Sequence, residues 1–177
     1  MSAERARSVT LRGNPVSLVG PEIKVGQDAP DFTAVDNGLQ LVRLSDARGK
    51  VIILSAIPSL DTPVCDTETR RFNEEASNLG DGIEVWTISM DLPFAQKRWC
   101  GAAGIDRVKT ISDFRERTFS ESYGVLIKDG PLAGVDARAV FVIGKDGTVK
   151  HVEYVKEIAT EPDYGAALGA ARDAAGL

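Results

Sequence analysis

Two cysteines give the strongest chemical signal in this chain of 177 residues, which contains a single histidine. Cys65 follows an apolar run that ends at Pro58, and the sequence after it has helical spacing. A cysteine at the start of a helix lies beside unpaired backbone N–H groups and the positive end of the helix dipole, which favour the thiolate. The thiolate is the nucleophile, so this position predicts a reactive cysteine. Thr62, three residues earlier, carries a hydroxyl that can both accept and donate a hydrogen bond.

Each of these residues also has a purely structural interpretation. Cys65 and Cys100 could be small core thiols, and Thr62 could be a helix cap. Composition alone favours inert thiols, and it is the position of Cys65 that favours reactivity. For Cys100, which follows Trp99, the local sequence leaves both interpretations open. A zinc site is disfavoured, since structural zinc is usually held by four Cys or His ligands.

The surrounding sequence predicts the elements that position these residues. Continuous apolar, β-branched runs at 50–58 and 82–90 are typical of strands buried on both faces. Helical patterning is expected from about Val64 to Leu79 and in a short segment at 92–104, which carries Cys100 near its end.

Further hairpins, strands and helices are indicated on both sides of this region. Hairpin turns are indicated by Gly13-Asn14, Asn37-Gly38 and Asp146-Gly147. A strand is expected at 107–113, a short helix at 114–125 and a C-terminal helix at 162–176. Strands that alternate with helices predict an α/β fold in which helices cover a mixed sheet. The sequence shows no repeat or linker, which predicts a single domain over residues 1–177.

Four segments of the chain carry a family resemblance. Pro58, Thr62 and Cys65 fit the pattern Pro-x-x-x-Thr-x-x-Cys, the active-site signature of the peroxiredoxins. The closer resemblance is to the bacterial thiol peroxidases among the atypical two-cysteine peroxiredoxins. It is carried by SLDTPVCDTETRRFN, LPFAQKRWC, TLRGNPVSLVG and GVDARAVFVI, and it extends from about Val9 to the C-terminal helix.

The resemblance implies a role for each matching residue. Cys65 would attack the peroxide and become a sulfenic acid, and Cys100 would then close an intramolecular disulfide with it. Thr62 would hold the peroxide and Pro58 would shield the site from water. Arg138 would be the active-site arginine; read without the family it would be a surface residue at a strand start. A guanidinium suits the role because it stays charged and presents several donors.

The same resemblance implies the fold and the partners. A thioredoxin-like fold is expected, with an added N-terminal hairpin at about residues 8–19, and no bound cofactor or metal. The substrate would be hydrogen peroxide or an organic hydroperoxide, and the reductant thioredoxin or a similar dithiol. A homodimer is implied by the family alone. Asp66 departs from the small residue expected beside the cysteine, and it is interpreted with Asp61 as a solvated acid.

Composition and charge restrict the possible partners and location. The net charge is −5, which disfavours nucleic acid or an anionic membrane as a partner. The charged opening MSAERARSVT lacks the apolar stretch of a secretory signal, so a cytoplasmic location is expected. The main competing hypothesis is a peroxide-sensing relay protein that passes oxidation on through mixed disulfides. A general disulfide oxidoreductase is disfavoured, since Cys-x-x-Cys is absent.

Overall fold

Within residues 3–177, which the computed structural model describes, the chain forms ten strands and four α-helices. The helices are α1 (Pro63–Ala76), α2 (Pro93–Ala103), α3 (Thr118–Ser122) and α4 (Tyr164–Ala175). The strands are β1 (Glu4–Leu11), β2 (Asn14–Val19), β3 (Thr33–Asp36), β4 (Leu41–Arg43), β5 (Val51–Ala56), β6 (Ile83–Ser89), β7 (Val108–Ser112), β8 (Leu126–Ile127), β9 (Ala139–Ile143) and β10 (Val149–Tyr154).

Seven of the strands form a mixed sheet in the order β10-β9-β5-β6-β7-β3-β4. Strands β5, β6 and β7 are parallel, whereas β9 and β3 run antiparallel to their neighbours β5 and β7. Parallel neighbours place their carboxyl ends at one edge of the sheet, and the helices α1 and α2 begin just beyond that edge. The predicted mixed sheet is confirmed, and the predicted central strands at 50–58 and 82–90 correspond to β5 and β6.

Alternate residues of the central strands supply two apolar layers. Val51 and Ile53 of β5 pack with α1 and α4 on one face, through Phe72 and Leu168 among others. On the other face, residues of β5, β6 and β9 pack with α3 and the segment before β3. This second layer includes Phe32, Ile52, Leu54, Trp86, Ile88, Phe119, Tyr123 and Phe141. Helices therefore cover both faces, which explains the continuous apolar runs in the sequence.

The N-terminal hairpin forms a separate sheet with β8, in the order β1-β2-β8. It begins at Glu4 instead of the expected residue 8, and its turn lies one residue earlier than predicted. Positive φ angles fall at Arg12 (50°) and Gly13 (80°), while Asn14 already pairs with Leu11. A two-residue turn with positive φ at both central positions matches the twist of a hairpin. Strand β8 is only two residues long and was not predicted.

Two predicted helix boundaries differ from the structure. Helix α1 ends at Ala76, short of the predicted Leu79. Helix α2 ends at Ala103 and is followed by the left-handed Gly104, so Cys100 lies in its last turn, near the end of the helix as predicted. The segment 114–125 contains only the short helix α3. None of the helices between residues 3 and 177 is long and apolar enough to cross a bilayer.

Asp136 is an unusual member of the core, because its side chain is completely buried. Neither carboxyl oxygen has a hydrogen-bond partner among residues 3–177. Burial raises the pKa of Asp136 to about 8. The nearby Ser120 hydroxyl donates to Asp113 at 2.6 Å and is not a hydrogen-bond partner of Asp136. The folded protein therefore holds Asp136 in its neutral, protonated form at neutral pH.

This burial predicts a pH-dependent stability. Between about pH 4 and pH 8 the folded protein binds a proton at Asp136 that the unfolded chain releases, so stability falls as the pH rises. Asp136→Asn should therefore be more stable than the parent at pH 8, by at least about 1 kcal/mol, and nearly equal near pH 4. Urea unfolding of the reduced proteins at both pH values measures this difference. Asp81→Asn, at an exposed acid, is the control, and equal pH slopes for parent and Asp136→Asn would contradict the assignment.

Candidate active site

Cys65 lies in the first turn of α1, where the chain leaves the central strand β5. Pro58 is buried just after the end of that strand, and the intervening loop leads to Thr62, which precedes the helix. Pro63 occupies the first helical position, which suits its fixed φ and missing N–H. The Cys65 side chain has no exposed surface. The predicted position of a thiol at a helix N-terminus is therefore confirmed, in a buried environment.

Asp91 anchors the loop that connects β5 to α1. Its two carboxylate oxygens accept from the Ser59 hydroxyl at 2.7 Å and from the Leu60 N–H at 2.8 Å. Asp91 itself follows β6, so the loops after two adjacent parallel strands are joined. This connection fixes the path of the chain just before Cys65.

Thr62 does not cap the helix with its side chain. Its hydroxyl donates to the Ser59 carbonyl at 2.9 Å, and its backbone N–H donates to the same oxygen. Thr62 therefore occupies the N-cap position of α1, as the cap interpretation expects, but its side chain makes no capping hydrogen bond. Because the hydroxyl proton is already engaged in the hydrogen bond to the Ser59 carbonyl, the Thr62 oxygen can only accept a hydrogen bond from another molecule.

Arg138 is the charged group in contact with the cysteine. It immediately precedes β9, and only 2% of its surface is exposed. Its Nη2 lies 3.3 Å from the Cys65 Sγ, its Nε donates to the Ile158 carbonyl at 2.9 Å, and its Nη1 donates to Glu68. Interpreting Arg138 as a surface arginine is wrong. The structure brings the guanidinium and the thiol together from positions 73 residues apart.

Glu68 completes a buried polar chain and was missed by the sequence analysis. Its carboxyl accepts from Arg138 and, at 2.9 Å, from the Ser55 hydroxyl on β5. Burial raises the pKa of Glu68 to about 7, although Arg138 and Ser55 act to lower it. The sequence feature that could have identified Glu68 is its position three residues after Cys65, because this spacing places both side chains on one face of α1.

The charge of Arg138 is secure in this environment. Burial alone would lower the pKa of the guanidinium, but Glu68 and Cys65 more than offset this, so the pKa is raised. Arg138 therefore stays a cation, and its Nη2 can stabilise negative charge on the Cys65 sulfur.

Cys100 is a second free thiol, partly buried in the last turn of α2. Its Sγ lies 3.4 Å from the Thr110 hydroxyl on β7. It also packs against an apolar cluster that contains Ile57, Cys65 and Trp99. Both thiols thus belong to one cluster, although each is held on a different helix.

Comparison with known proteins identifies the family to which the chain belongs. The sequence matches the Redoxin family over residues 24–168. A solved structure described as a peroxiredoxin-like protein from Aquifex aeolicus superimposes with a TM-score of 0.90 and 48% sequence identity. The superposition covers 96% of this chain and 98% of that one. The thioredoxin-like fold expected from the sequence is confirmed.

Curated relatives narrow the assignment. A thiol peroxidase of Bacillus subtilis is 54% identical over 164 residues, which cover 93% of this chain and 96% of that protein. A thiol peroxidase of Halalkalibacterium halodurans is 53% identical over 167 residues, covering 94% and 98%. The chain therefore belongs to the Redoxin family and, within it, to the thiol peroxidases, and it is a thiol-dependent peroxidase of the peroxiredoxin type.

The pKa of Glu68 predicts a step in the pH dependence of Cys65 oxidation. Above pH 7 the ionised carboxylate competes with the Cys65 thiolate for the charge of Arg138. Glu68→Gln removes that charge and keeps an acceptor oxygen for the guanidinium. The ratio of its oxidation rate to that of the parent should therefore rise as the pH increases from about 6 to about 8. Stopped-flow reaction with hydrogen peroxide measures both profiles, and a constant ratio would show that Glu68 does not titrate there.

Proposed function

We propose that this peroxidase works by a dithiol–disulfide cycle in which Cys65 attacks the hydroperoxide and Cys100 resolves the product. The contact between Arg138 Nη2 and Cys65 Sγ, at 3.3 Å in the first turn of α1, carries the proposal. It gives a thiol the two features that favour the thiolate, a fixed cation and a helix N-terminus. The substrate is hydrogen peroxide or an organic hydroperoxide.

In the first step the thiolate attacks the terminal peroxide oxygen. A sulfur–oxygen bond forms as the oxygen–oxygen bond breaks, and Cys65 becomes a sulfenic acid. The departing oxygen takes up a proton and leaves as water or an alcohol. Arg138 keeps its charge throughout and stabilises the negative charge as it moves from sulfur to the departing oxygen.

Thr62 and Pro58 are proposed to organise the peroxide. The Thr62 hydroxyl donates its own hydrogen bond to the Ser59 carbonyl. Its oxygen can therefore accept a hydrogen bond from the peroxide O–H and orient the peroxide for attack. Pro58 is buried beside the cysteine loop and lacks an N–H that would attract water. Since Cys65 is fully buried and Thr62 only partly so, the peroxide enters on the side of Thr62.

In the second step the Cys100 thiol attacks the Cys65 sulfenic sulfur. A disulfide forms and one molecule of water leaves, so the oxidation level of the pair is conserved. A disulfide requires Cα atoms within about 7 Å of each other and side chains that point together. Cys65 and Cys100 are held inside two different helices, so the first turn of α1 and the last turn of α2 unwind before the bond closes.

A dithiol protein of the thioredoxin type then reduces the disulfide and returns both thiols. This partner is proposed because intramolecular disulfides exchange readily with dithiols through a mixed disulfide. A homodimer and a cytoplasmic location stay predictions from the sequence. Analytical ultracentrifugation of the reduced and oxidised protein tests the dimer.

The intramolecular disulfide predicts the behaviour of the cysteine variants. Cys65→Ser should consume no peroxide, because the nucleophile is lost. Cys100→Ser should react once and then stall as a sulfenic acid, over-oxidise or cross-link to a second chain. Non-reducing gels and peptide mass spectrometry of the unmutated protein should show a monomer-sized product that contains a Cys65–Cys100 link. A mainly dimer-sized, reducible product would instead assign the bond to two chains.

The charge and hydroxyl at the site predict losses of rate. Arg138→Ala should slow Cys65 oxidation by about 10²–10³-fold, the usual effect of losing a preorganised donor. Thr62→Val keeps the β-branched shape, and it should also slow oxidation because it removes the acceptor oxygen. Arg98→Ala is a matched control, since Arg98 is exposed and pairs with Asp61 in the cysteine loop. Stopped-flow rates for Arg138→Ala within a few-fold of this control would remove Arg138 from the proposed mechanism.

A further inference from the structure

A hydrogen bond joins the neighbours of the two cysteines. Trp99, which precedes Cys100, donates from its indole Nε1 to the Oδ1 of Asp66, which follows Cys65, at 3.0 Å. From the sequence Asp66 is expected to be a solvated acid, but its side chain is only 35% exposed. Trp99 is 7% exposed and packs in the apolar cluster with Cys65. The bond therefore connects the first turn of α1 to the last turn of α2.

Arg70 reinforces this connection from one turn further along α1. Its Nε donates to the Asp66 Oδ2 at 2.8 Å, and its guanidinium carbon lies 5.6 Å from the centre of the Trp99 ring. Its Nη1 is also 3.4 Å from the carbonyl of Ala103, the last residue of α2. Both Asp66 oxygens are thus occupied, and one arginine contacts both helices.

We infer that Asp66, Trp99 and Arg70 form a latch that holds the two cysteine-bearing helix ends in the dithiol state and sets the rate of disulfide closure. The inference rests on the proposed function. In the proposed cycle these helix ends unwind before Cys65 meets Cys100, and Trp99 moves with its neighbour Cys100. The hydrogen bond to Asp66 opposes that movement, while it keeps α1 in the arrangement in which Cys65 contacts Arg138.

The latch also decides the fate of the sulfenic acid. A Cys65 sulfenic acid can lose its oxygen by closing with Cys100, or it can react with a second peroxide and become a sulfinic acid. Only the first route requires the latch to open. A weaker latch should therefore speed closure and protect Cys65 from over-oxidation, at the cost of a less ordered dithiol state.

Variants can weaken the latch without touching either cysteine. Trp99→Phe keeps an aromatic ring and removes the N–H donor, and Arg70→Ala removes the exposed reinforcement. Arg71→Ala is the matched control for Arg70→Ala, since Arg71 is also exposed on α1, has one i,i+4 salt bridge, with Glu75, and lies over an aromatic ring, that of Tyr164. Far-UV circular dichroism and thermal unfolding of each reduced protein check the fold.

The test follows the closure step itself. Each reduced protein is mixed with one equivalent of hydrogen peroxide, quenched in acid, and analysed by mass spectrometry for sulfenic acid and Cys65–Cys100 disulfide. Trp99→Phe should close about tenfold faster than the parent, the effect expected for one charge-assisted hydrogen bond. Arg70→Ala should close faster by a smaller factor and Arg71→Ala at the parental rate. With excess peroxide, the sulfinic fraction should fall in the same order.

Hydrogen exchange provides a readout that does not depend on turnover. Amides at 97–104 should exchange faster in reduced Trp99→Phe and Arg70→Ala than in Arg71→Ala. Closure at the parental rate or slower in both latch variants would overturn the inference and leave the proposed cycle intact. Failure of the unmutated protein to form any Cys65–Cys100 disulfide would instead overturn the proposed cycle.

Discussion

A guanidinium that is 2% exposed, as in Arg138, has lost almost all of its hydration and needs acceptors in fixed directions. Three groups supply them: the Ile158 carbonyl, the Glu68 carboxyl and the Cys65 sulfur. Two of the acceptors lie on α1 and the third follows β10, while Arg138 itself precedes β9, so these distant segments must be assembled before the charge is satisfied. Removal of one partner from such a buried set is strongly destabilising, because it leaves an uncompensated charge. The hydrogen bonds that compensate the buried charge of Arg138 therefore stabilise this region and also hold the guanidinium beside the Cys65 thiol.

The parallel strands explain why this arrangement lies at one edge of the sheet. Strand β5 brings Ser55 to Glu68 and delivers the chain to Pro58, and β6 ends just before Asp91. Ser59 and Leu60 in the β5–α1 loop donate hydrogen bonds to Asp91, which joins the two strand ends. The strands position the start of α1, and the hydrogen bonds of Ser59 and Leu60 to Asp91 hold the loop that precedes it. These contacts hold the Cys65 sulfur in place in the dithiol structure, whereas in the proposed cycle the first turn of α1 and the last turn of α2 unwind.

Local patterns were sufficient to predict most of the framework. The buried strands β5 and β6 and the helix that begins beside Cys65 follow from apolar runs and from proline at a helix start. The turn of the N-terminal hairpin was predicted one residue too late, because Gly13-Asn14 has the sequence of a turn. The positive φ angles fall instead on Arg12 and Gly13. The segment at 92–104 was predicted to be helical, and α2 ends there just before Gly104, which adopts the left-handed conformation.

Which residues meet at the site was harder to predict from the sequence, because the site depends on contacts between distant segments. Nothing near Arg138 in the sequence indicates burial, and only the family resemblance brought it to Cys65. Glu68 could have been placed from its spacing on α1, but its pairing with a guanidinium from β9 could not. The Asp66–Trp99 bond likewise joins two helices whose relative position is set by the sheet, so local sequence described Asp66 only as an acid near a helix start.

Gln96 anchors the first half of α2, the helix that carries Cys100, to the central sheet. Its buried amide donates to the Ile111 carbonyl at 2.8 Å and to the Ser89 hydroxyl at 3.1 Å, which pins the first half of α2 to β6 and β7. Only four peptide units separate Gln96 from Cys100, so an unwound end of α2 is a tether that reaches about 14 Å at most. A short tether confines the thiol to a small volume, and its effective concentration there is in the millimolar range or higher. In the proposed cycle, capture of the sulfenic acid by Cys100 is thus independent of protein concentration, and an added thiol competes with Cys100 only when it is abundant.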